Sequence, residues 1–203
     1  MFRPRYRYYC AVAAWVAMLA LAACGNTAKP TFLSTDITGA TFGKELKLVG
    51  HDGVTRTLAD FKGKAIVLFF GYTHCPDVCP ATMGEIASAV QKLGKDAARV
   101  QVLFVTIDPE RDTPETLKQY LSAFDPAFLG LHGDAGATKI IADEFKIVYQ
   151  KHAGNSSDHD TMDHSAGVYI FDTKGQLRLY ASGNGNSADI LARDIGELLR
   201  TTG

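Results

Sequence analysis

The chain has 203 residues, 21 Lys and Arg against 22 Asp and Glu, a formal net charge of −1, and 46% hydrophobic residues. That length suits one domain with a full core. Nothing in this near-neutral balance points to the basic surface that a nucleic-acid partner would require, so none is expected.

The N-terminus reads as a targeting segment. Arg3, Arg5 and Arg7 precede the apolar run Ala11–Ala23. A membrane-spanning helix needs roughly 20 apolar residues, so this shorter run, ending in small residues, fits a signal peptide better. Leu21-Ala22-Ala23-Cys24-Gly25 resembles the lipobox of bacterial lipoproteins, which implies lipidation of Cys24 and removal of residues 1–23 together with Cys10. Residues 24–30 then form a lipidated tether and 31–203 the domain. It would be exported and membrane-anchored, facing the periplasm or the cell exterior, where an acylated N-terminus carrying more than one chain suffices as an anchor.

After this processing Cys75 and Cys79 are the remaining thiols. A small exported domain stapled by disulfides uses several bridges, and closing so short a loop removes little chain entropy. The pair is therefore read as chemical.

In chain order, Thr31–Gly39 and Glu45–Thr57 suggest a hairpin at a sheet edge around the turn His51-Asp52-Gly53. Ala65–Phe70 is a continuous apolar run that fits a strand buried on both faces, and Val100–Ile107 is a second. Between them, Thr82–Leu93 has helical apolar spacing. Thr113–Phe124 predicts a helix with Thr113 as N-cap and Pro114 at the first helical position. A helix over Asp134–Phe145, a strand over Lys146–Lys151, a hairpin of Gly167–Phe171 with Gln176–Ala181, and an amphipathic helix over Ala188–Arg200 complete the chain. The alternation predicts an α/β domain of thioredoxin-like order, with a central mixed sheet flanked by helices and an N-terminal β-hairpin added.

The cysteines fall just after the first buried strand, at the carboxyl end of a strand where open α/β sheets place their sites. Next to a helix N-terminus both sulfurs are expected to be more acidic than a free thiol. Thioredoxin-type redox enzymes separate their cysteines by two residues. Here Pro76, Asp77 and Val78 make three, a spacing that on a helix leaves the Cβ atoms roughly 5–6 Å apart and able to chelate one soft ion. Two thiolates under-coordinate a metal, and histidine suits copper in either oxidation state. His51, His74, His132, His152, His159 and His164 are available. His51 and His132 read as turn residues and His74 as a supporting or structural neighbour of Cys75. His152, His159 and Met162 form a loose polar cluster near His164 that could hold or pass on metal. His164 precedes the strand at Gly167, and the loop there faces the cysteine loop in a thioredoxin-like sheet. Thioredoxins place a cis-proline at that point, whereas no proline follows Pro126 here, which weakens the redox-enzyme reading.

Three motifs in order, Gly71-Tyr72-Thr73-His74-Cys75-Pro76-Asp77-Val78-Cys79-Pro80, Asp108-Pro109-Glu110-Arg111-Asp112-Thr113-Pro114 and Asp163-His164-Ser165, resemble the Sco/SenC family of copper chaperones. The similarity runs from about Phe32 to Leu199. It implies a thioredoxin fold, one copper, Cu(I) or Cu(II), bound by Cys75, Cys79 and His164, and a part in building the binuclear copper centre of cytochrome c oxidase. Partners would be the copper-bearing oxidase subunit and other copper carriers or thiol reductants. Asp163 and Asp77 are expected to support the ligands from behind, and Asp108–Pro114 to serve as a turn feeding the Thr113 cap. A different function for the same cysteines is an exported thiol-disulfide oxidoreductase or peroxidase, and a third is a redox or copper sensor.

Overall fold

The computed structural model describes residues 30–152, 161–182 and 187–202. The expected signal peptide, Cys24, almost all of the tether, and His159 lie outside the described residues. One compact unit runs from Phe32 to the C-terminus.

Strand β4 (Ala65–Gly71) is buried along its whole length, as a continuous apolar run demands of a central strand covered on both faces. In sequence order before it come β1 (Thr35–Asp36), β2 (Lys47–Gly50) and β3 (Thr55–Thr57). After it, β5 (Val100–Thr106) pairs with β4 in parallel, Ala65 opposite Val100 and Gly71 opposite Thr106. Next, β6 (Leu129–His132) pairs in parallel with β5. On the other flank β9 (Val168–Phe171) runs antiparallel to β4, followed outward by β10 (Leu177–Ala181) and β1. The β2–β3 hairpin closes the opposite edge beyond β6, around Asp52-Gly53, with Gly53 at φ 79°. Gly39 and its neighbours therefore do not join that hairpin: the first segment pairs with β10 at the far edge instead.

Helix α1 (Val78–Lys92) starts four residues before Thr82, where the apolar spacing begins. Pro80 lies in its first turn, where backbone N–H groups have no intrahelical acceptor and the missing donor costs nothing. For α2 (Pro114–Ser122), Thr113 Oγ1 accepts the Thr116 N–H at 3.2 Å as the N-cap. For α3 (Ala135–Glu144), Asp134 Oδ1 accepts from Ala137 at 2.7 Å. Beyond α3, Lys146 takes φ 58° and Ile147 N–H reaches back to the Ala142 carbonyl at 2.8 Å. This left-handed closure delays the strand expected at Lys146, so that β7 spans only Tyr149–His152. It pairs with β8 (Thr161–His164) in a separate two-stranded ribbon.

Helix α4 (Ala188–Thr202) turns Leu191, Ile195, Leu198 and Leu199 inward and packs against α1. Its buried Asp194 carboxylate accepts the N–H groups of Leu33 at 3.0 Å and Ser34 at 2.7 Å, tying the start of the domain to its last helix. This is a thioredoxin-like fold, with a central mixed sheet flanked by helices. No helix among the described residues is long and apolar enough to cross a membrane.

Candidate metal centre

At the carboxyl end of β4 the chain turns through Tyr72–Asp77 into α1. Cys75 sits half-buried in that loop, whereas Cys79 is fully buried in the first helical turn. The pair does not share one helical face. Instead the Cys79 backbone N–H, one of the donors a helix start leaves free, points at Cys75 Sγ from 3.4 Å. Gly71 makes room for this packing: a Cβ there would stand 2.9 Å from Cys79 Sγ and 3.0 Å from both Phe69 and Phe104.

The acidity expected of the Cys79 sulfur is not found. Burial pushes its thiol well above the ordinary range, and the Tyr72 backbone N–H offsets this only in part. Here desolvation outweighs the helix dipole, because that sulfur lies inside the protein and not at its surface. In the metal-free protein Cys79 is therefore a neutral thiol.

His164 ends β8, and its Nε2 lies 3.3 Å from Cys79 Sγ. The three donor atoms, two sulfurs and one imidazole nitrogen, all lie within 4.8 Å of one another. Phe69 and Tyr72 meet the imidazole at steep angles, each with ring centroids 6.1 Å away. His164 Nδ1 is 3.1 Å from the Ser165 carbonyl, which can only accept. Nδ1 therefore carries the proton, and Nε2 turns its lone pair toward Cys79. Burial lowers the His164 pKa, against the raising influence of the Ser165 carbonyl and the Asp163 charge, so the ring is neutral near pH 7 and ready to ligate.

Two supporting roles need correcting. Asp163 does not hydrogen-bond His164. Its Oδ2 pairs with His152 Nε2 at 2.9 Å on the exposed side. Successive side chains of a strand face opposite ways, so Met162 and His164 turn inward while Thr161 and Asp163 turn outward. The same alternation separates buried Met162 from exposed His152, so these two members of the expected cluster do not meet. Asp77 caps α1 through its backbone position, with no side-chain cap bond, and its carboxylate is exposed.

Other residues carry the support. The Met162 N–H donates to Tyr72 Oη at 3.1 Å, strapping the histidine strand to the cysteine loop. Buried Asp112 accepts the Thr73 hydroxyl at 2.6 Å, the Thr73 N–H at 3.1 Å and the Thr106 hydroxyl at 2.6 Å, fixing the loop two residues before Cys75. Burial raises the Asp112 pKa, while the threonine bonds pull it down. The Asp108–Pro114 segment thus does more than cap α2, and nothing in its sequence separates a buried Asp112 from a turn aspartate.

The SCO1/SenC family model matches residues 34–200. The chain belongs to the SCO1/SenC family. Among its SCO1/SenC relatives, the SCO2-like protein of Rickettsia felis is 36% identical over 135 residues, 66% of each chain, so the match spans about two thirds of that relative's length. The structure of Bradyrhizobium japonicum ScoI with copper bound superposes with a TM-score of 0.71 at 37% identity, covering 79% of this chain and 100% of that one. The apo Sco1 protein of Thermus thermophilus superposes at 0.74 and 37% identity, covering 85% and 99%.

Proposed function

We propose that this SCO1/SenC protein binds one copper ion through Cys75 Sγ, Cys79 Sγ and His164 Nε2 and delivers it during assembly of the binuclear copper centre of cytochrome c oxidase. The observation that carries this reading is the convergence of two sulfurs and a correctly tautomerised imidazole on a volume one ion can fill. The set of soft thiolates with one imidazole suits copper, and copper is bound in the ScoI structure at 37% identity. A thiol-exchange enzyme needs an accessible thiolate, and buried, protonated Cys79 is a poor one. The copper ion is cargo, so the site must both hold it and give it up. We further infer export and anchoring through lipidated Cys24, which would keep the domain at the membrane where an oxidase is built.

The test is transfer. The copper-loaded full chain is mixed with the copper-free, reduced soluble domain of an oxidase copper subunit, and the two are separated and assayed for metal. Copper should move to the acceptor from the wild-type chain. Retention of all copper by the loaded chain would overturn delivery and leave a copper holder or sensor.

A further inference from the structure

We propose that a cavity at the base of the sheet, the end where β4 begins, binds the phosphate of an anionic phospholipid headgroup and so turns the copper centre away from the bilayer. The choice of a lipid rests on the anchoring inferred above through Cys24, and the site itself is independent of the copper reading. The cavity measures about 450 Å³ and lies between the loop that leads into β2 and the turn that leads into β10. That is within the roughly 300–1,000 Å³ of small-molecule sites. Two cations line it, Lys44 and Arg178, and no acidic residue does so among the described residues. Arg178 is fixed in place. Its Nε donates to Thr38 Oγ1 at 2.8 Å and its Nη1 to the buried Asp172 carboxylate at 3.1 Å, which leaves the N–H groups of Nη2 without a partner among the described residues. A held guanidinium with an open edge matches phosphate geometry, and Lys44 adds a point charge. The nearby carboxylates are already engaged. Asp36 accepts the Thr38 N–H and hydroxyl, Asp172 also accepts the Lys174 and Gln176 N–H groups, and Glu144 accepts those of Lys44 and Glu45. Phe42 and Leu177 complete the wall. Their apolar surface suits the glycerol and first acyl carbons of a lipid, which inorganic phosphate lacks.

The surroundings favour the same partner. Lys174 directly precedes Gly175 of the cavity, and the Gly63 N–H donates to the Thr173 carbonyl at 2.9 Å, which brings Lys62 and Lys64 to the same turn. All three lysines are exposed, and none has an ion pair among the described residues. A lysine held near an anionic membrane strengthens binding by about fivefold. Leu177 pairs with Phe171, which pairs with Ile66, and Lys64 stands directly before Ala65, so the cavity and the lysines share one end of the sheet. The cysteines follow the other end of β4. A strand of that length separates the two ends by about 20 Å. With its base on the headgroups, the domain presents the copper centre to the aqueous side, where a soluble acceptor domain can reach it.

The test is hydrogen–deuterium exchange on the full chain in nanodiscs of phosphatidylcholine alone, of phosphatidylcholine mixed with phosphatidylglycerol, and of phosphatidylcholine with soluble glycerol phosphate added. Residues 38–44 and 175–178 should exchange about fivefold more slowly on the mixed lipid than in either other arm. Lys44→Gln combined with Lys174→Gln should return them to the phosphatidylcholine rate; Arg178 is left intact so that buried Asp172 keeps its partner. Equal exchange on both lipids, or protection that survives the double substitution, would overturn the proposal. Protection by glycerol phosphate as strong as that by the mixed lipid would overturn the lipid as its source. A chain that does not stay on phosphatidylcholine nanodiscs would overturn the anchoring, and with it the choice of a lipid, an outcome distinct from the others.

Discussion

Cys79→Ala is expected to lower copper affinity by more than about a hundredfold, because even a lost partner to a metal ligand costs roughly 10–100-fold and here a ligand itself is removed. Fold stability should suffer less. Cys79 is fully buried against Gly71 and the base of the loop, so truncation leaves a cavity of only one sulfur atom, costing about 1 kcal/mol. The pH dependence follows from the raised thiol pKa. Below that pKa copper must displace the Cys79 proton, so this residue alone makes wild-type affinity rise by about tenfold per pH unit, and the rise flattens once the thiol ionises. The metal-free protein responds in the opposite sense. A folded pKa above the unfolded value of about 8.5 means that the Cys79 contribution to stability is present below that pH and fades as pH rises through the folded pKa. The apo protein should therefore weaken in alkali, and Cys79→Ala should blunt that loss. Competition titrations and urea denaturation, each across a pH series, check both trends.

Asp112→Asn is expected to separate stability from copper binding. Three donors converge on a carboxylate buried to 1% exposure, yet burial drives its pKa up and prevails over those bonds. For an acid whose folded pKa is raised, ionisation opposes folding: its contribution to stability is present below the unfolded pKa and lost as pH rises through the folded one. At neutral pH the charge thus costs free energy, and replacing it by a neutral amide of the same shape should change stability by less than about 1 kcal/mol. The amide nevertheless brings an NH₂ where Thr73 or Thr106 now donates, so one threonine must turn and the cysteine loop must shift. Copper affinity should fall by about tenfold, in the range for partners behind a metal ligand. A fall in stability of several kcal/mol with unchanged affinity would show that Asp112 serves the fold and not the site.

How far the sequence could be read depended on whether a feature is local. The buried runs of β4 and β5, the Thr113-Pro114 cap and the apolar face of α4 are written in neighbouring residues, and each forms where expected. Strand β6 has only four residues and includes Gly130, too short a pattern to recognise. The four residues of strand β8, Thr161–His164, are mostly polar and carry a loop-like pattern; what makes them a strand is pairing with β7, and Tyr149 lies opposite His164. The same pairing brings His164 to Cys79 across 85 positions of sequence, which spacing could not supply and the family resemblance did. For Asp163 adjacency misleads: next to a ligand in sequence means opposite it on a strand. The acidity expected of Cys79 fails because the helix dipole is visible in sequence and burial is not.

X-ray absorption on the full chain loaded with one equivalent of copper tests most directly whether a single copper is held by two sulfurs and one imidazole nitrogen. We predict two sulfur scatterers and one nitrogen in the wild-type protein, with one sulfur lost in Cys79→Ala and the imidazole signal lost in His164→Ala. A copper environment without sulfur, or one unchanged by His164→Ala, would contradict it.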